Sequence, residues 1–202
     1  MTTFTEPSPS LRPQVYIVPG YQASPQDHWF VWLANKIQTM DAEVSIVKFT
    51  EPDHPQFEQW QHDLNQQIHR LDAQTIIIAH SLGCISTVAY LSRHLKERRL
   101  KSLICVSGFY ETLSALPELD HYMQQIQMDD GIIRTHIQHR YVFFSNNDPL
   151  VPAPLSIRFG QLLNAQMFEQ KQAGHFMAAD GYTQFPQLWE RVERLLTTSL
   201  TP

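Results

Sequence analysis

Several features that would place this chain in other functional classes are scarce or missing. There are only two cysteines, Cys84 and Cys105, and both fall in apolar segments. They read as free buried thiols in a reducing cytoplasm, not as part of a disulfide framework. No apolar run approaches the roughly 20 residues a membrane helix needs, so no membrane partner is expected. The stretch from Met1 to Pro13 lacks the basic and apolar regions of a signal peptide. Its Ser, Thr and Pro content predicts a disordered lead-in, with the domain proper over 14–202. The net charge is −5 and no block of like charges occurs, which argues against a nucleic-acid partner. No internal repeat or low-complexity segment is evident.

What the chain does have is enough apolar material for one sizeable core: 202 residues, 43% of them hydrophobic. Short β-rich runs alternate with helical periodicities. Val15–Val18, Val44–Phe49, Thr75–Ile78, Leu103–Val106 and Tyr141–Phe144 read as strands, and Gln166–Glu169 as a short edge-like strand. Between them, Ser24 and Pro25 suggest the cap and first position of a helix carrying Trp29, Trp32, Leu33 and Ile37 on one face. A second helix carries Phe57, Trp60, Leu64, Ile68 and Leu71, and further helices are expected over Pro154–Leu163 and Phe185–Leu196. A short helix around Leu119–Ile126 and a turn at Asp130–Gly131 complete the pattern. Strands alternating with helices imply right-handed βαβ units: an α/β fold with a mostly parallel sheet of about six strands, covered on both faces.

The stretch from Thr75 to Gly83, TIIIAHSLG, has the most chemical content. A buried strand runs into a sharp turn with Ser81 at its tip, and helical spacing (Ile85, Val88, Ala89) follows. Small residues, Ala79 and Gly83, stand two positions either side of the serine, where bulk would block a tight strand–helix crossing. This is the pattern of a nucleophile elbow. It puts Oγ at a helix N-terminus, where free N–H groups and the helix dipole favour developing negative charge.

In parallel sheets, functional groups gather beyond the carboxyl ends of the strands. Loops at that end supply Ser81, Asp148 (in SNNDPLVP) and His175 (after Gly174), in the chain order Ser, Asp, His that this class of fold uses. A neutral serine is a poor nucleophile, so His175 would take its proton, and Asp148 would hold the imidazole tautomer. The backbone N–H groups of Leu82 and Tyr21 would form an oxyanion hole, with Gly20 allowing close approach of the loop. His28 and His80 are candidates for lining the substrate site. Each residue alone has a plainer reading: a turn serine, an Asx-turn aspartate before Pro149, a loop histidine among ten. Asp129, Asp130 and Asp180 are alternative acids, but none directly follows an expected strand. His62, His69, His136 and His139 read as surface positions with no metal-ligand spacing, so neither metal nor cofactor is expected. Trp29, Trp32, Trp60 and Cys84 read as core.

With these residues in hand, the sequence resembles the small α/β-hydrolase family of the YdeN type, related to the retinoblastoma-binding protein nine serine hydrolases. The likeness runs from Val15 to Leu196 and rests on five separate segments: PGYQASPQDHWFVWL at 19–33, AHSLGC at 79–84, VSGFYETLSALPELD at 106–120, FSNNDPLVP at 144–152 and AGHFMAADGYTQFPQLW at 173–189. It implies a compact hydrolase core with little or no cap and a triad falling on Ser81, Asp148 and His175. The chain departs at Pro19, where many members carry His before the glycine.

The segment from Ser107 to Arg140, where this fold class usually inserts a cap, is too short for a separate helical lid. An uncapped site suits a small-molecule substrate, a short acyl ester or an accessible amide, better than a long-chain lipid. A serine at position 81 disfavours dehalogenation, which needs a carboxylate nucleophile there. The other reading is a protein-interaction module on a hydrolase scaffold, although nothing in the sequence indicates a protein partner and a pure binder needs none of the three residues.

Overall fold

Why the strands form is visible in their alternation. In the computed structural model, which describes residues 12–198, β1 (Gln14–Val18), β3 (Thr75–His80) and β4 (Leu100–Val106) are buried along their whole length. Side chains on a strand point alternately to opposite faces. Val15, Ile17, Ile76, Ile78, Ile104 and Val106 therefore pack into one core, and Tyr16, Val18, Ile77, Ala79, Leu103 and Cys105 into another. With β2 (Glu43–Ile46), β5 (Ile137–Ser145) and β6 (Gln166–Gln170) they make one six-stranded sheet in the order β2-β1-β3-β4-β5-β6. Every pairing is parallel.

The first core is closed by α1 (Phe30–Gln38) and α7 (Pro186–Thr197), through Phe30, Leu33 and Ile37 on one and Leu188, Val192 and Leu195 on the other. The second is closed by α2 (Phe57–Gln67), α3 (Leu82–His94) and α6 (Ala153–Leu162), with Trp60 stacked on Phe49 at 3.8 Å between centroids. The result is the single-domain α/β-hydrolase fold: a parallel sheet with helices on both faces.

Between β4 and β5 lie α4 (Asp120–Gln124) and α5 (Asp130–His136). They form no separate lobe. Leu113, Leu119, Tyr122 and Ile133 are buried in the second core, and the Tyr122 hydroxyl is 2.7 Å from Ser86 Oγ on α3.

Four local expectations are corrected. The Ser24–Pro25 segment does not begin a helix: the Asp27 carboxylate accepts the Ser24 N–H at 2.7 Å, closing a turn, and His28 at φ 55° interrupts helical geometry before Phe30. The expected turn at Asp130–Gly131 is instead the start of α5, because Asp129 caps it by accepting the Ile132 N–H. Strand β2 stops at Ile46, because the Gln67 amide beyond it takes both backbone groups of Lys48. Helix α2 ends at Gln67, leaving Ile68 and Leu71 buried in the loop that follows. Of the expected lead-in, residues 1–11 lie outside the described residues; Pro13 already accepts the Glu43 N–H.

Candidate active site

Strand β3 ends at His80 and α3 starts at Leu82, so a single residue makes the turn. That residue is Ser81, at φ 53° and ψ −126°, a conformation side-chain-bearing residues rarely adopt. The crossing explains its flanks. A Cβ on Gly83 would fall 2.1 Å from the Pro19 carbonyl oxygen, and one on Gly20 would fall 2.8 Å from Ser81 Cβ and 3.4 Å from the Leu82 nitrogen. The loop after β1 is thus pressed against the elbow, an approach that requires glycine at both positions. Leu82 is the first residue of α3, where backbone donors lack intrahelical acceptors. Tyr21 follows Gly20 in the same loop, and its hydroxyl donates to Glu118 Oε1 at 3.3 Å.

Ser81 Oγ lies 2.8 Å from His175 Nε2, and His175 Nδ1 lies 2.8 Å from Asp148 Oδ2. A carboxylate can only accept, so Nδ1 carries the proton and Nε2 is free to accept from the serine hydroxyl. Asp148 receives three more donors: the Leu150 and Val151 N–H groups on Oδ1, each at 2.9 Å, and the Ser107 hydroxyl on Oδ2 at 2.8 Å. Four donors on one carboxylate fix its plane. Ser81, Asp148 and His175 are only 5%, 8% and 3% exposed, so water screens this chain of bonds little.

The His175 loop is held from two sides. Asp180 Oδ2 accepts the backbone N–H of His175 at 2.9 Å and of Met177 at 3.1 Å. From the β5 loop, Asn146 Oδ1 accepts from Gln172, Ser145 Oγ from Ala173 and Asn147 Oδ1 from Gly174. Asp180, one of the alternative acids, therefore grips the backbone of the histidine loop, and Asp129 caps α5 away from the imidazole. Sequence reasoning singled out Asp148 but missed Ser107 and the Ser145–Asn147 latch. Small polar residues carry no pattern of their own; their position after β4 and β5 was the available signal.

The two histidines expected to line the site have specific partners. His80 is buried, and its Nε2–H donates to the His175 carbonyl at 2.9 Å. Burial pushes its pKa well below the ordinary histidine value, and the neighbouring His175 and His28 push the same way. His28 packs edge-on against His80 at 5.6 Å and accepts the Ala178 N–H through Nδ1 at 3.1 Å. Burial lowers its pKa too. Cys84 is buried against the Ala79 and Val106 carbonyls, and burial pushes its thiol well above the usual range. That is a core role, not a nucleophile's. His62 and His69 are exposed; His136 and His139 are half-buried. Among the described residues, no three His, Cys, Asp or Glu side chains gather as metal ligands, and no helix is long and apolar enough to cross a membrane.

Surface grooves are present elsewhere on the described residues. One of about 600 Å³ is lined by Tyr21, Asp53, His54 and Glu118, and one of about 410 Å³ by Leu113, Pro117, Pro152 and Leu155. Ser81 lines neither.

Comparison with known proteins agrees with this architecture. Residues 15–194 match the family model described as serine hydrolase. Over 180 residues the chain is 33% identical to YdeN of Bacillus subtilis (strain 168), covering 89% of this chain and 94% of that one. The crystal structure of the B. subtilis ydeN gene product superposes with a TM-score of 0.87 over 92% of this chain and all of that one. The serine hydrolase RBBP9 of Rattus norvegicus is 25% identical over 175 residues, 85% of this chain and 88% of that one. Est1E from Butyrivibrio proteoclasticus, at 12% identity, shares the fold with a TM-score of 0.66, covering 94% of this chain and 90% of that one.

Proposed function

The chain belongs to the serine hydrolase family, and on that premise we propose that it cleaves small or accessible carboxylic esters, with amides as a secondary class, through an acyl-enzyme on Ser81. The observation that carries this reading is the unbroken line of hydrogen bonds from Ser81 Oγ through His175 to Asp148. In it, His175 Nε2 takes the hydroxyl proton as Oγ attacks the carbonyl carbon, and Asp148 stabilises the imidazolium that results. The Leu82 and Tyr21 N–H groups receive the negative oxygen of the tetrahedral intermediate. Such a donor is typically worth about 3–4 kcal/mol to the transition state. His175 then returns the proton to the departing alcohol, leaving the acyl group on Ser81. Water, deprotonated by the same nitrogen, attacks the acyl carbon; the bond to Ser81 Oγ then breaks, Oγ takes the proton back from His175, and the acid is released.

Substrate size follows from the β4–β5 segment. Because α4 and α5 are packed into the second core and form no separate lobe, an ester with a short acyl group suits the site better than a long-chain lipid. The alternative of a non-catalytic interaction module gives no reason for a buried hydroxyl, imidazole and carboxylate in series. We also propose that the protein works in the cytoplasm, where Cys84 and Cys105 remain thiols.

The test is hydrolysis of p-nitrophenyl acetate by the purified protein and by Ser81→Ala. Turnover is expected in the first and only background hydrolysis in the second. Equal turnover in both would overturn the mechanism.

A further inference from the structure

We propose that Ser107 is a positioning residue for the acid of this site, acting on His175 through Asp148. The inference rests on the catalytic reading of Ser81 and extends it to a residue outside the three. Ser107 follows β4 and is fully buried. Its backbone stands at φ 49°, in the left-handed region, and is tied by its N–H to the Phe143 carbonyl on β5. Its hydroxyl donates to Asp148 at 2.8 Å. The accepting atom is Oδ2, the same oxygen that binds His175 Nδ1.

Two consequences follow from that shared oxygen. First, the carboxylate is held at both ends, by Leu150 and Val151 on Oδ1 and by Ser107 on Oδ2. Rotation of the carboxylate about its bond to the side chain would break bonds on both oxygens. Second, the hydroxyl withdraws electron density from the oxygen that stabilises the His175 imidazolium. Without that donor the oxygen would hold a cation more strongly, so His175 would keep its proton to higher pH. Ser107 thus fixes where the carboxylate points and moderates its hold on the imidazolium, so that the histidine returns the proton it has taken. A buried left-handed residue bonded to the neighbouring strand is a rigid support for such a donor, as second-layer groups need to be.

The experiment measures kcat, KM and the pH dependence of kcat/KM for p-nitrophenyl acetate with the full chain and the variants Ser107→Ala and Ser107→Gly. Glycine removes the hydroxyl and also relieves the left-handed backbone, so it keeps the test open if the alanine variant folds poorly. Both variants are expected to lose about tenfold in kcat, the scale of one lost hydrogen bond to a charged group, with KM nearly unchanged. In both, the acid limb of the kcat/KM profile should move to higher pH. Wild-type kinetics in Ser107→Gly would overturn the proposal and assign any alanine defect to backbone strain. A loss of kcat in both with an unmoved acid limb would also overturn it, reducing Ser107 to packing. Fluorophosphonate labelling of the wild type separates the two layers. A wild type that labels at Ser81 while the Ser107 variants behave normally removes only this proposal, whereas no labelling removes the mechanism beneath it.

Discussion

Asp180 holds His175 by its backbone, with Oδ2 accepting the His175 N–H at 2.9 Å, while Asp148 accepts from Nδ1 of the ring at 2.8 Å. One histidine is thus gripped by two carboxylates with separate tasks. In the proposed mechanism the carboxylate on the ring serves proton transfer, while the one on the backbone fixes the loop that carries the ring.

That division can be separated by mutation. Asp148→Asn should lower kcat by about 10⁴ at neutral pH, because an amide in that place favours the wrong imidazole tautomer. Asp180→Ala should leave a measurable enzyme but cost roughly 0.5–1.5 kcal/mol of stability, since a part-buried N–H of His175 and an exposed one of Met177 lose their acceptor. Chemical denaturation and steady-state kinetics on both variants check the pair. The reverse ranking of kcat losses would move the acid's role to Asp180.

The glycines at the elbow give a second prediction. Gly83→Ala should destabilise the fold by about 1–3 kcal/mol, as overpacking does, because the new methyl would overlap the Pro19 carbonyl. Gly20→Ala presses instead on Ser81 Cβ and lies near the Leu82 nitrogen. It should reduce kcat by about 10²–10³, the scale of losing an oxyanion donor. Thermal melts and kinetics of the two variants would show one mainly as a stability defect and the other mainly as a catalytic one.

Stability should depend on pH in a direction set by His80 and His28, whose folded-state pKa values lie below the ordinary 6.5, chiefly because they are buried. Above about pH 6.5 both are neutral, folded or unfolded, and their contribution is constant. Below it the unfolded chain takes up protons that the folded protein does not, so stability falls with pH. Each such group contributes a slope of at most about 1.4 kcal/mol per pH unit. Urea titrations between pH 7.5 and 5 should show the decline, and His80→Gln should flatten it. A slope unaltered by His80→Gln would remove His80 from the explanation.

The parts of this molecule that were legible in the sequence are those whose physics is local. The central strands can be read because TIII and LICV must bury both faces, and the elbow because Gly83 and the serine are constrained within five residues. The three residues of the proposed site lie on loops after separate strands, in an order the topology dictates. The start of α1 was not legible, because Ser24–Pro25 satisfies every local rule for a helix cap. Only the Asp27 carboxylate and the left-handed His28 divert the chain into a turn. β2 ends early through a side chain 19 residues away, Gln67, which no periodicity reveals. Ser107 and the Ser145–Asn147 latch were illegible for the same reason: their partners come from other loops, and a single serine or asparagine has no signature before the fold brings its partner near.

The most direct test of the account is intact-mass and peptide analysis after treatment with a fluorophosphonate, which reacts with activated serine hydroxyls. One adduct on Ser81 in the native protein, abolished in Ser81→Ala and strongly slowed in His175→Ala, is the predicted result. A protein that stays unmodified, or one modified at another residue with Ser81 untouched, would contradict it.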